Sequence, residues 1–279
     1  MPFLAPRPRD PRSLERLRAH YEIERELADR LRDASPRDRP ALYGEVYDEL
    51  FRRVPDHPQL SAPADARGRW VAAQIELLAP LLTPASSFLE IGSGDCALSL
   101  AIAPRVREVR AMDVSAEIAP VGPTPANFSF VLSDGRTVPL AAESVDLAYS
   151  NQLMEHLHPD DGYVQLTEIA RALKHGGRYL CVTPHRFSGP HDISAFFDST
   201  ATGFHLREYI VGELRAMLRD AGFAKVHVLV RVRGRQALLP GAVTVALERV
   251  LRLLPHPARR FLARSPLRAI LGVTIVATR

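Results

Sequence analysis

The sequence predicts a doubly wound α/β fold: a mostly parallel, seven-stranded sheet with an antiparallel edge strand, helices on both faces and a helical N-terminal cap. Three observations carry this expectation. From residue 69 onward, short apolar runs alternate with amphipathic stretches of about ten to fifteen residues, the rhythm of strand-crossover-strand units. A glycine turn, Gly92-Ser93-Gly94, joins the first of these runs to the helical stretch after it. Asp113 and Asp134 stand at the ends of the next two runs, on the edge of the sheet where such folds open their ligand crevice.

Taken in order, residues 13–34 place Leu14, Leu17, Tyr21, Ala28 and Leu31 at helical spacing behind Ser13, a good N-cap. Residues 39–54 repeat the pattern with Leu42, Val46, Leu50 and Phe51, and a proline- and glycine-bearing linker follows. A helical cap is therefore expected over residues 1–64 and the α/β core over 65–279. The core should run as a helix over 69–82, a strand over 87–91, a helix over 96–106 and strands over 108–114, 127–134 and 144–151. It continues with a helix over 162–174, a strand over 176–184, a helix over 205–222 and strands over 224–232 and 268–279. Between the last two strands lies an arginine-rich helical insertion at about 236–267.

Composition is that of an ordinary globular protein, with 46% hydrophobic and 24% charged residues and a net charge of +4. Only Lys174 and Lys225 are lysines, and the arginines are spread along the chain, which points to genome composition rather than a polyanion site. Cys96 and Cys181 fall inside expected core elements, as reduced thiols of a cytoplasmic protein do. No apolar run has the length of a signal peptide or a membrane span.

Read alone, the glycine turn is ambiguous. Gly92, Gly94 and Ala97 fit GxGxxA with Asp113 about twenty residues on, a spacing that suits a nicotinamide cofactor or S-adenosylmethionine alike. The downstream landmarks are more specific: a third strand ending at Ser133-Asp134-Gly135, then VPLAAESVDLAYSNQLMEHL. In these, over residues 86–185, the chain resembles the class I S-adenosylmethionine-dependent methyltransferases. That resemblance implies a Rossmann-like core and S-adenosylmethionine as cofactor. It implies Glu90, Gly92, Ser93 and Gly94 on the methionine and ribose side, Asp113 on the ribose hydroxyls, and Asp134 and Gly135 against adenine. Ser150 and Asn151 would sit at the mouth beside the methionine end, and His156 would be a wall residue. Cys96 departs from the pattern, standing where glycine is common.

Methyl transfer is an in-line displacement, so the protein must align the nucleophile, exclude water and, for a hydroxyl acceptor, remove a proton. Histidine suits the last task. His185 and His191, in the long segment after the fifth strand, are the expected bases, with Asp192 orienting a partner. No metal site is expected, because Asp192 and Asp198 alone make a thin ligand set. The chain lacks an NPPY-type stretch, a Pro-Cys nucleophile and a basic tail, which argues against nucleic acid as acceptor. The expected activity is therefore methylation of an oxygen on a small molecule, natural product or glycan. The alternatives are a nicotinamide oxidoreductase using the same turn, or a cofactor-binding module without turnover. Residues 238–268 carry an apolar stripe (Leu238, Leu239, Val243, Leu247, Leu251 and Leu254) beside arginines. It suits burial against the sheet, a homodimer contact or peripheral contact with a membrane surface.

Overall fold

The computed structural model describes residues 10–58, 60, 64–115, 120, 122–232 and 235–279. Its strands are β1 (Ser87–Ile91), β2 (Glu108–Asp113), β3 (Phe128–Leu132), β4 (Val145–Asn151), β5 (Leu173–Thr183), β6 (Lys225–Val232), β7 (Arg235–Pro240) and β8 (Val273–Thr278). They form one sheet in the order β3-β2-β1-β4-β5-β8-β6-β7. Neighbours from β3 to β5 pair in parallel, whereas β8 runs antiparallel to both β5 and β6. The fold class is the expected one, but the described sheet has 8 strands rather than seven. The additional strand, β7, pairs antiparallel with β6 and occupies the start of the segment expected to be helical. Its short apolar run fits either period, and the exposed edge of β6 offers a row of backbone partners that a helix would leave unpaired.

The helices are α1 (Leu14–Asp33), α2 (Arg39–Arg53), α3 (Ala64–Leu78), α4 (Ala97–Ile102), α5 (Pro159–Ala172), α6 (Val211–Asp220), α7 (Gly241–Arg252), α8 (His256–Arg264) and α9 (Arg268–Leu271). Every residue of β1 is buried, as a central strand covered on both faces requires. On one face, Phe88, Leu147 and Tyr149 meet Leu77 and Leu78 of α3 and Leu98 and Ile102 of α4. On the other, Leu89, Ala148 and Tyr179 share a core with Val46 and Leu50 of α2, Leu166 and Ile169 of α5, and Leu214 and Leu218 of α6.

The two N-terminal helices are thus part of the main core. In α1, Ser13 caps the first turn by accepting from the Arg16 amide. Leu17, Tyr21, Leu27, Ala28 and Leu31 are buried, while Leu14 stays exposed. A buried ion pair pins α2 to α5: Arg39 Nε donates to Asp161 Oδ2 at 2.6 Å, and the Tyr43 hydroxyl donates to the same oxygen at 2.9 Å. The Tyr43 oxygen in turn accepts from the His158 amide at 2.9 Å.

The C-terminal apolar stripe divides. Leu251 is buried with Phe187, Ile210, Ala263 and Leu271, and Leu247 and Leu254 pack against them. Leu238 and Val243 are exposed instead. Helix α6 begins six residues later than 205, because residues 204–210 are held by distant partners. The Arg207 amide donates to the Glu155 carbonyl, and the Arg186 amide donates to the Tyr209 carbonyl. Among the described residues, no helix is long and apolar enough to cross a membrane.

Candidate active site

The glycine turn lies at the carboxyl end of β1. Gly92 and Gly94 have φ of +71° and +52°, conformations that suit glycine. Cys96, at the departing position, takes φ 59° and caps α4 from a left-handed conformation. A β-carbon on Gly92 would press the Leu153 side chain at 3.2 Å, whereas one on Gly94 would project into open space with no atom within 4 Å.

Two carboxylates frame this turn. Glu90 is buried and accepts from the Ser99 hydroxyl of α4 at 2.6 Å. Burial pushes its pKa up to about 8 despite that hydrogen bond. Asp113, at the end of β2, accepts from the Gly94 amide on Oδ2 at 2.9 Å and from the Val114 amide on Oδ1 at 2.7 Å. Burial raises its pKa, and the amides work against that rise. Asp134 closes an Asx-type turn after β3, its Oδ1 accepting from the Arg136 and Thr137 amides. Burial opposes its ionisation, yet those amides hold its pKa below the usual range. Gly135 presents its α-carbon to the ring of Tyr43, where a β-carbon would stand 3.1 Å away. Helix α2 therefore forms a wall over this loop.

At the end of β4, neighbouring residues diverge. Ser150 does not reach the mouth: it is fully buried, and its hydroxyl lies 2.6 Å from that of Tyr179, because alternate residues of a strand face opposite sides of the sheet. Asn151 lies at the rim of a cavity of about 1010 Å³, whose walls include Gln74, Val182, Arg231, Arg264 and Arg268.

The histidines separate into distinct roles. His185 is 5% exposed, its Nε2 meeting Glu248 Oε1 at 2.9 Å and its Nδ1 accepting from the Phe187 amide. With both nitrogens engaged inside the protein, it is withdrawn as a base. His191 is partly exposed: its Nδ1 meets Glu208 Oε1 at 3.2 Å and its Nε2 meets the Ser188 hydroxyl at 3.1 Å. Asp192 orients no imidazole through a hydrogen bond. Its Oδ2 accepts from the Gly203 and His205 amides and its Oδ1 from Ser194, so it fixes the loop. The carboxylate that orients His191 is Glu208, which also meets His205 Nδ1 at 2.9 Å. Burial opposes the charge on Glu208, yet its bonds to His191 and His205 hold its pKa near 2. His156 lines an interior wall: its Nδ1 donates to the Phe204 carbonyl at 3.1 Å, and burial, with His205 beside it, lowers its pKa to about 3.

These features suit a nucleoside cofactor: an unfilled cradle over Gly94, a carboxylate at the end of β2 locked to that cradle, and a covered turn after β3. Residues 89–181 match the family model described as a methyltransferase domain. The chain is 33% identical over 150 residues to a probable S-adenosylmethionine-dependent methyltransferase of Mycobacterium tuberculosis, covering 53% of this chain and 52% of that protein. Over this stretch the chain is similar to the class I S-adenosylmethionine-dependent methyltransferases. A second relative named as such an enzyme, from Mycolicibacterium smegmatis, is 36% identical over 86 residues, 31% of each chain. The aligned segment spans about half the length of the first of these curated relatives. In fold, a methyltransferase of Archaeoglobus fulgidus superposes with a TM-score of 0.51 at 15% identity, over 76% of this chain and 94% of that one.

S-adenosylmethionine is the cofactor that the names of these relatives carry, and the open cradle at Gly94 beside the Asp113 carboxylate fits a nucleoside of that kind. Sequence reasoning missed Glu208, Glu248 and Glu155. Each acts on a partner brought close by the fold, so only the EHL run around Glu155 offered a local signal.

Proposed function

We propose that the protein transfers a methyl group from S-adenosylmethionine to an oxygen of a small molecule, natural product or glycan. The observation that carries the reading is the Asp113-Gly94 lock: a ribose-side carboxylate tied at 2.9 Å to a glycine whose β-carbon space is open. When bound, the cofactor supplies an electrophilic methyl on a sulfonium. The chain's own residues must then hold the acceptor in line and take its proton.

His191 with Glu208 is the pair best built for proton removal. Glu208 accepts at Nδ1, which directs the imidazole lone pair to Nε2, and the Ser188 hydroxyl there is a replaceable partner. The Ser188 carbonyl accepts from Arg264 Nε at 2.9 Å, which links this pair to the wall of the cavity beside Asn151. That cavity is the proposed acceptor site, and its arginines favour an acceptor bearing negative charge or many hydroxyls.

Calorimetric titration with S-adenosylhomocysteine tests the cofactor half. Micromolar binding is expected, with a loss of about 100-fold or more in Asp113→Ala, since a hydrogen bond to a charged group and the support of the turn go together. Binding of NADH with no affinity for S-adenosylhomocysteine refutes the reading. For the acceptor half, His191→Gln should lower the rate of methyl transfer to hydroxylated acceptors without weakening S-adenosylhomocysteine binding.

A further inference from the structure

We propose that Glu155, His156 and His205 form a binding site for a divalent transition metal, a two-histidine, one-carboxylate centre between β4 and the segment that precedes α6. One ligand atom from each residue lies within 4.8 Å of the others. The hydrogen bonds around them leave one coordinating atom on each. The Phe204 carbonyl can only accept, so His156 Nδ1 carries a proton and the lone pair of the neutral ring sits on Nε2. His205 Nδ1 is held in the same way by the Glu208 carboxylate. Glu155 Oε2 accepts from the Thr183 hydroxyl at 2.7 Å, while Oε1 is buried without a hydrogen-bond partner.

An ionised carboxylate that is 0% exposed and has one orphaned oxygen is costly. A cation facing Oε1 and the two imidazole lone pairs removes that cost. Each ligand also has the outer partner that metal sites use to fix orientation: a carbonyl, a carboxylate and a hydroxyl. Two imidazoles and one carboxylate select zinc, cobalt, iron or nickel over magnesium or calcium. Three protein ligands leave a position for water.

The cluster adjoins the cofactor crevice. Tyr47 of α2 stands edge-on to His156 with ring centres 6.1 Å apart, and its hydroxyl is within electrostatic reach of both Glu155 and Asp113. A metal here would hold a water and lower its pKa beside the His191-Glu208 pair, apart from the cavity at Asn151 proposed for the acceptor. That role rests on the methyltransferase reading, whereas metal binding itself does not. A second grouping, His20, Glu24 and His57, has comparable spacing but is already satisfied. Arg12 meets His20 Nδ1 at 2.9 Å, and Glu24 Oε1 meets His20 Nε2 at 2.8 Å. The guanidinium also repels a cation there.

The test is titration of the full, chelator-treated chain with Co²⁺, followed by visible d-d absorption, with S-adenosylhomocysteine binding measured on the same samples. One Co²⁺ per chain is expected, with the affinity read from the absorption titration weakened about 100-fold or more in Glu155→Gln and in His205→Ala and unchanged in His57→Gln. Retained S-adenosylhomocysteine binding in Glu155→Gln shows that the fold stands. Absence of stoichiometric Co²⁺ binding overturns the site, as does absorption that survives both ligand substitutions or that is lost in His57→Gln alone. Co²⁺ binding without affinity for S-adenosylhomocysteine supports the site while removing the methyltransferase reading.

Discussion

Burying Glu90 behind the glycine turn makes folding stability depend on pH in a direction that can be worked out from its surroundings. In the unfolded chain the carboxyl titrates at its ordinary value of 4.5, and in the folded protein at about 8. Below 4.5 both states hold the proton and the contribution to stability is complete. Between the two values only the folded state holds it, so each pH unit removes about 1.4 kcal/mol, and the contribution is gone above 8. From pH 5 to 8 this amounts to at most about 4 kcal/mol, and relaxation of the site brings the expected loss to about 2–4 kcal/mol. That is a large share of the roughly 5–15 kcal/mol that holds a typical domain together. Glu90→Gln isolates the effect, because the amide oxygen still accepts from Ser99 but does not titrate. Urea unfolding of both proteins at several pH values from 5 to 8 gives the stability difference directly. The wild type should lose its advantage over the variant as pH rises. A difference that stays flat within about 0.5 kcal/mol, or that grows with pH, refutes the reasoning.

Two further substitutions probe how distant segments are joined. Arg39→Met leaves buried Asp161 with the Tyr43 hydroxyl on Oδ2 and Arg136 Nε 3.1 Å from Oδ1, so a loss of about 2–3 kcal/mol, smaller than for a charge left without a counter-ion, is expected in urea unfolding, with faster hydrogen exchange in α1 and α2. Glu248→Ala removes the acceptor for the Val211 and Gly212 amides and for His185, which should cost about 2–4 kcal/mol while S-adenosylhomocysteine affinity is unchanged.

Much of the fold was legible because its signals are local. The order of strands and helices through β5 follows from apolar period and turn residues, and the glycine turn sits where expected. The misreadings cluster where distant parts supply the deciding partner. Helix α6 has no local cap: its first amides bond to Glu248, a residue of α7, so nothing near 211 in sequence marks the start. Ser150 and Asn151 are adjacent in sequence, yet strand alternation sends one into the core and leaves the other at the rim.

By itself the sequence determined the class of fold, the glycine turn and the carboxylates at the ends of β1 and β2, because backbone geometry and strand-end placement are set within a few residues. Tertiary structure alone decided which histidines are available. His185 is consumed by Glu248, His191 is oriented by Glu208, and His156 and His205 are brought edge to face with their ring centres 4.9 Å apart. A side chain's chemistry depends on what fills its hydrogen-bonding positions, and here those partners come from α7 and from the segment before α6, far along the chain.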